Sequence, residues 1–329
     1  MSIGSQVNDG TPVLGEVETM VCVLEGRHGA WAADVADFFA TFHSLKGDAT
    51  RSWAWAGATT AVASLVVVTI VIASILLPSQ QAVALTPPPL LYSNAQPLAE
   101  VVDDAHVALD RPGGPEQESH VETLSWGWNI DMAKESVEVM PQYATFIWSP
   151  EAGSSSVVVA GDSLWDDDDR PEGVADSPYE PGEVISEIST PPGEFIAPPA
   201  VLELDGADRP QVAAALESLG APEDASSGQL LLSIGQLMSF WTLTDEQHAV
   251  LIDMLVEAGG VTVLGEAKDR EGRPVVGLRV SDDGSPYQDT VLISAVTGRI
   301  VGVENERTEP MDFIPAGVIG YTLWDLPPR

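Results

Sequence analysis

The chain is poor in basic residues and in cysteine, and it has no familiar catalytic signature. Among its 329 residues, three lysines and eleven arginines face 50 acidic side chains, for a formal net charge of −36. A phosphate-binding surface needs clustered Lys and Arg, so this balance argues against nucleic acid as a partner. Cys22 is the one cysteine, which excludes an intramolecular disulfide and any Cys-based zinc finger, ribbon or iron–sulfur site. There is no Gly-x-Ser-x-Gly elbow, Ser-x-x-Lys, His-Glu-x-x-His, phosphate loop or dinucleotide fingerprint. No catalytic residue, cofactor-binding residue or metal ligand is therefore assigned, and the expectation is a protein that is not an enzyme and carries no cofactor.

Charge is missing locally as well. From Ser52 to Ala99 the only ionisable side chain is that of Tyr92, and within this gap Gly57–Leu77 is an uninterrupted apolar run ended by Pro78. A helix of this length rises about 30 Å, the thickness of a bilayer core, so residues 53–77 are read as a transmembrane helix. Arg27, Lys46 and Arg51 precede it, and the first basic residue after it is Arg111. That asymmetry predicts a single-pass signal anchor in the cell membrane, with a cytoplasmic N-terminus and an extracytoplasmic C-terminal domain. The small-x-small triplet Ala82-Val83-Ala84 offers a competing signal-peptide cleavage site, but the preceding segment and the apolar run are both too long for one.

Residues 1–52 read as a short helical cytoplasmic segment. Trp31, Val35, Phe38, Phe39, Phe42 and Leu45 fall on one helical stripe, an apolar face to be covered either by self-packing of a two-helix hairpin or by a cytoplasmic protein partner. His28, His43 and Cys22 do not complete a tetrahedral metal site.

Residues 78–118, with Pro87-Pro88-Pro89 and Pro112-Gly113-Gly114-Pro115, read as a tether to a folded domain over 119–329. Alternation in Leu124/Trp126/Trp128/Ile130, Val137/Val139 and Ala144/Phe146/Trp148, followed by Val157-Val158-Val159, predicts an antiparallel meander. Trp126, Trp128 and Trp148 are candidates either for an apolar-ligand face or for plain sheet packing. An acidic, Pro-rich insertion spans 162–199. Its run Asp166-Asp167-Asp168-Asp169 suggests calcium, but the alternating carboxylates and central glycine of a calcium loop are missing.

Helical segments are predicted at Asp208–Leu219 and Gln229–Trp241, and a third opens on the capping box Thr244-Asp245-Glu246-Gln247. Strands follow at Val261–Glu266, Val275–Ser281, Thr290–Ala295, Ile300–Glu306 and Gly317–Trp324, with Gly-containing turns between most of them. The expected fold class is α+β: a single transmembrane helix followed by an extracytoplasmic curved antiparallel sheet with an inserted helical cluster.

The segments QVAAALESLGAPEDASSGQLLLSIGQLMSFWTLTDEQHAVLIDMLVEAGGVTVLGEAKDREGRPVVGLRV, ISAVTGRIVGVE and VIGYTLW resemble an uncharacterised actinobacterial family of single-pass membrane proteins, often encoded beside extracytoplasmic-function sigma factors. The likeness covers about residues 120–329. The order of strands, helices and hairpins is also similar to periplasmic lipoprotein-carrier and sigma-regulator domains, whose sheet wraps an apolar cavity, although fold likeness does not transfer function. Three readings follow. The first is a membrane-anchored, non-enzymatic sensing or binding protein, coupled to a sigma factor and held in the lipid bilayer by residues 53–77. The second is a carrier or chaperone for an apolar ligand, lipid or lipoprotein, in a half-barrel cavity. The third is a hydrolase with an unrecognised site.

Overall fold

The structure is a computed structural model, and it describes residues 89–131, 136–139, 141–165, 177, 179–280, 285–309 and 316–326. Helix α1 (Leu98–Leu109) precedes a meander of β1 (His120–Asp131), β2 (Ser136–Val139), β3 (Gln142–Ser149), β4 (Gly153–Ala160) and β5 (Val184–Thr190). Four helices follow: α2 (Pro199–Leu202), α3 (Arg209–Ser218), α4 (Ser227–Leu237) and α5 (Asp245–Glu257). The chain then returns to strands as β6 (Val261–Lys268), β7 (Pro274–Val280), β8 (Tyr287–Ser294), β9 (Ile300–Arg307) and β10 (Gly317–Leu323).

The sheet is antiparallel and runs in the order β5-β4-β3-β1-β10-β9-β8-β7-β6, with short β2 pairing the far end of β1. The first strand thus closes against the last, with Leu124 opposite Leu323 and Trp126 opposite Tyr321. Each half is a sequence-local meander, joined at β1–β10.

Side chains alternate across the sheet, so a strand can serve two cores, as β1, β7, β8 and β9 do. On the inner face Phe146, Trp148, Leu278, Val280, Val291, Ile293 and Ile300 pack against Leu216, Ile234, Leu237, Leu251 and Leu255 of the helices. On the outer face a smaller cluster of Leu124, Trp126, Leu292, Val301 and Tyr321 is covered by Leu90, Leu164, Trp165 and Leu326. β8 feeds both cores, which explains its unbroken run: Val291 and Leu292 are fully buried and Ile293 nearly so.

Local chemistry sets the helix starts. Thr244 Oγ1 accepts the Gln247 N–H at 3.3 Å, while Gln247 Oε1 accepts the Thr244 N–H at 2.9 Å. Ser226 and Gln229 repeat this reciprocal cap at α4. Each cap meets helix-end N–H groups that would otherwise lack partners.

Part of the stretch read as a tether is folded. Val101, Ala105 and Leu109 of α1 enter the inner core, and His106 Nε2 lies 3.1 Å from Asp253 Oδ1 of α5. Upstream, Ser93 exchanges backbone hydrogen bonds with Glu266 at 2.9 and 2.6 Å, so the chain straps the β6 edge. A bulge at Gly265, with φ +116°, admits the strap, because a Cβ there would run into the Ser93 carbonyl oxygen. The insertion 162–199 contributes β5.

The membrane-anchored architecture is corrected. Among the described residues no helix is long and apolar enough to cross a membrane. The longest, α5, has 13 residues and rises about 20 Å, and it carries charged residues along its length. The most apolar, α4, has 11 residues, and tertiary packing rather than lipid buries it. Residues 53–77, on which the span rested, lie outside the described residues, as do residues 1–52 with Trp31, Val35, Phe38, Phe39, Phe42 and Leu45. The single-pass topology, the cytoplasmic and extracytoplasmic assignment of the termini, the bilayer as a partner and the cytoplasmic-partner face therefore find no support in the fold. The sigma-factor regulator reading falls with them, since it required chain on both sides of a membrane.

Candidate functional site

Two of the three tryptophans expected on a ligand face, Trp148 and Trp126, lie in different cores. Trp148 lies in the inner core at 3% exposure, its indole N–H donating to the Phe240 carbonyl at 2.7 Å. Trp241, Phe195, Phe146 and Phe240 complete an aromatic cluster, with Trp148 and Trp241 edge to face at 4.7 Å. Trp126 faces the opposite side of the sheet, edge to face with Tyr321 at 5.3 Å. Trp128 stands opposite Val139 in the β1–β2 pair. Trp126 and Trp148 are spent on packing, each with one edge-on ring partner.

This packing also corrects the carrier reading. The helices occupy the face where an apolar ligand would sit, and at the sheet–helix junction beside α5 there remains a cavity of only about 20 Å³, lined by His248, Arg299 and Asp325 among others. A lipid or lipoprotein chain needs hundreds of cubic ångströms.

Charged side chains converge at that junction. Arg299, 8% exposed, follows the turn before β9; its Nη1 lies 2.8 Å from Asp325 Oδ2, its Nε 3.5 Å from Asp245 Oδ1, and its Nη2 donates to the Leu243 carbonyl at 2.8 Å. Burial pushes the Asp245 and Asp325 carboxyls up from the usual carboxylate range, and the Arg299 charge opposes that shift. His248, fully buried, accepts the Ile300 N–H on Nδ1 at 3.2 Å, and burial followed by the nearby Arg299 charge holds its pKa well below the ordinary value.

A second arginine closes the C-terminal segment. Arg273 donates to the carbonyls of Trp324 at 2.7 Å, Asp325 at 2.8 Å and Val301 at 3.2 Å, and pairs with Asp269 at 2.6 Å. On the outer face Arg270 pairs with Glu304 at 2.7 Å and lies 6.0 Å from the Tyr321 ring centroid. Burial pushes the Glu304 carboxyl up, and burial with the nearby Glu304 charge raises the Tyr92 hydroxyl, which lies in the strap over Gly277. Arg273 spends its donors on backbone carbonyls and a fixed carboxylate, and Arg299 does so at Nη1 and Nη2, while its buried Nε makes only the longer ion-pair contact to Asp245. They hold the fold together and leave little for a substrate.

Among the described residues no group of three or more His, Cys, Asp or Glu is arranged to hold a metal ion. The run Asp166–Asp169 lies outside the described residues.

A larger concavity lies toward the β5 edge of the sheet. A groove of about 320 Å³ is formed where the β3–β4 turn meets the end of β5, lined by Ile147, Ser149, Gly153, Ser155, Ser189 and Thr190 among others. Ile147 is 49% exposed there. β5 is the last strand in the sheet order, and among the described residues no strand pairs with its second edge. The β6 edge is strapped at Ser93, so the two edges differ. The sequence flanking β5 is strongly acidic: from Ser136 to Asp208 the only Lys or Arg is Arg170, against sixteen Asp and Glu. Glu183 and Glu187 are exposed at β5. Sequence reading assigned 162–199 to an insertion and so missed this edge. The β-branched residues of Val184-Ile185-Ser186-Glu187-Ile188-Ser189-Thr190 were the available signal.

Comparison with family models, curated proteins and solved structures finds no match to the chain.

Proposed function

We propose that the described domain is a non-enzymatic protein-binding module that takes an extended, basic segment of a partner protein as an added strand along β5. The observation that carries this reading is the asymmetry of the sheet edges: one is strapped by the chain's own residues, while β5 is exposed, acidic and bordered by a groove. An added strand gains affinity from main-chain hydrogen bonds and specificity from alternate side chains. Ile188 pairs Ser156 on the inner face, and Glu187 pairs Val157 on the outer. The complementary strand therefore alternates an apolar residue beside Ile188 with Lys or Arg beside Glu187. A second copy of β5 is a poor occupant, because its own glutamates would face Glu183 and Glu187. The commitment of Arg299 and Arg273 to structural bonds supports the non-enzymatic part of the reading.

The test is titration of the full chain with a capped peptide of alternating valine and lysine. Binding is expected to weaken with salt, and Glu183→Lys with Glu187→Lys should lower affinity on the order of tenfold or more, since each reversal turns an attraction into a repulsion of similar size. A valine–glutamate peptide binding equally well would overturn the reading.

A further inference from the structure

We infer that one water molecule is a fixed part of the junction between α5, β9 and the C-terminal segment, held by the ring N–H groups of His248 and Trp324. The tautomer follows from a backbone contact. His248 Nδ1 accepts the Ile300 N–H at 3.2 Å, so its lone pair is engaged and the proton of the neutral ring sits on Nε2. His248 Nε2 and Trp324 Nε1 are thus both donors. The two residues are 0% and 5% exposed, and among the described residues neither nitrogen has a hydrogen-bond acceptor. Buried donors are almost always met by protein or by ordered solvent.

Both residues line the cavity of about 20 Å³, which exceeds the roughly 10–15 Å³ that a single water needs. The size restricts the guest to one heavy atom, and two N–H donors require it to accept. A cation is excluded because the donors, and the guanidinium of Arg299 beside them, would repel it. A halide is disfavoured because Arg299 already faces Asp245 and Asp325, and a third negative charge would have no unmatched positive partner. Water accepts twice and donates twice, and the Asp325 carboxylate and Thr242 hydroxyl that also line the cavity can receive its protons. His248 then joins α5 to β9 directly through one nitrogen and to Trp324 through solvent by the other. The inserted helices and the last strand are fastened at a single ring.

The experiment uses the full chain labelled with ¹⁵N at histidine and tryptophan. The long-range ¹H–¹⁵N spectrum should show His248 as the Nε2–H tautomer. Rotating-frame cross-peaks should connect both His248 Nε2–H and Trp324 Nε1–H to one long-lived water, and neither resonance should move when chloride is replaced by bromide or fluoride. An Nδ1–H tautomer would overturn the inference, as would ring N–H signals without a water cross-peak. Halide-dependent shifts of both signals would also overturn it and assign the site to an anion.

Discussion

Replacing Arg299 by methionine tests the junction severely, because the substitution keeps most of the side-chain volume and removes only the charge and its donors. Arg299 is 8% exposed and bridges three elements: Leu243 before α5, Asp245 in its first turn, and Asp325 after β10. Without it, the Asp245 and Asp325 carboxylates, with side chains 13% and 22% exposed, and the Leu243 carbonyl lose their partner together. Removing one partner of a buried ion pair costs about 3–5 kcal/mol. Two carboxylates at partial exposure place Arg299→Met within that span. With a total stability of about 5–15 kcal/mol for a typical domain, the variant should unfold at much lower urea concentration. The pH dependence gives the loss a second signature. Both carboxyls already have raised pKa values in the folded protein, and loss of the guanidinium raises them further. The folded variant therefore takes up protons before the unfolded chain does, and its deficit relative to the parent should shrink as pH falls toward the carboxylate range. The assay is urea unfolding of parent and variant, followed by tryptophan fluorescence at several pH values. A loss under about 1 kcal/mol at neutral pH, or one that does not shrink on acidification, would refute the claim that Arg299 neutralises these two groups.

Other consequences can be measured in the same way. Because the folded pKa of His248 lies below its unfolded value of about 6.5, the unfolded chain binds the proton first on acidification, so stability should fall as pH drops below about 6.5; urea midpoints of His248→Gln should lack that slope. Thr244→Ala removes the side-chain half of the α5 cap and should cost about 1 kcal/mol in thermal or urea unfolding, with Thr244→Ser recovering most of it. Gly265→Val should clash with the Ser93 carbonyl oxygen and release the strap, read as faster amide exchange at Ser93 and Glu266 with little change in the inner core.

The C-terminal half was legible because its local signals agree. The Thr244–Gln247 cap, Gly259-Gly260 after α5, and the turns at Gly272 and Gly298 mark where elements end, and the observed bounds of α5 and β6 to β10 lie within a few residues of those expected. The start of α4 was read late although Ser226 and Gln229 form the same cap, because the apolar run beginning at Leu230 dominated the reading. α1 was missed for a different reason. Its stripe of Val101, Ala105, Ala108 and Leu109 is short and sits between proline-rich stretches, so composition argued for a tether while the helix is held by tertiary packing. The polar junction was illegible. Asp245, His248, Arg299 and Asp325 are scattered in sequence, and only the pairing of β1 with β10 and the docking of α5 bring them together. The half-barrel likeness misled because strand order says nothing about whether the inserted helices fill the sheet's inner face.

The most direct test of strand addition at β5 is amide hydrogen exchange of the full chain with and without the valine–lysine peptide. The account predicts new protection concentrated in Val184–Thr190, because amides along the second edge of β5 gain partners, and it predicts loss of that protection in the Glu183→Lys, Glu187→Lys variant. Protection that leaves 184–190 unchanged, or that appears at the Ser93-strapped β6 edge instead, would contradict it.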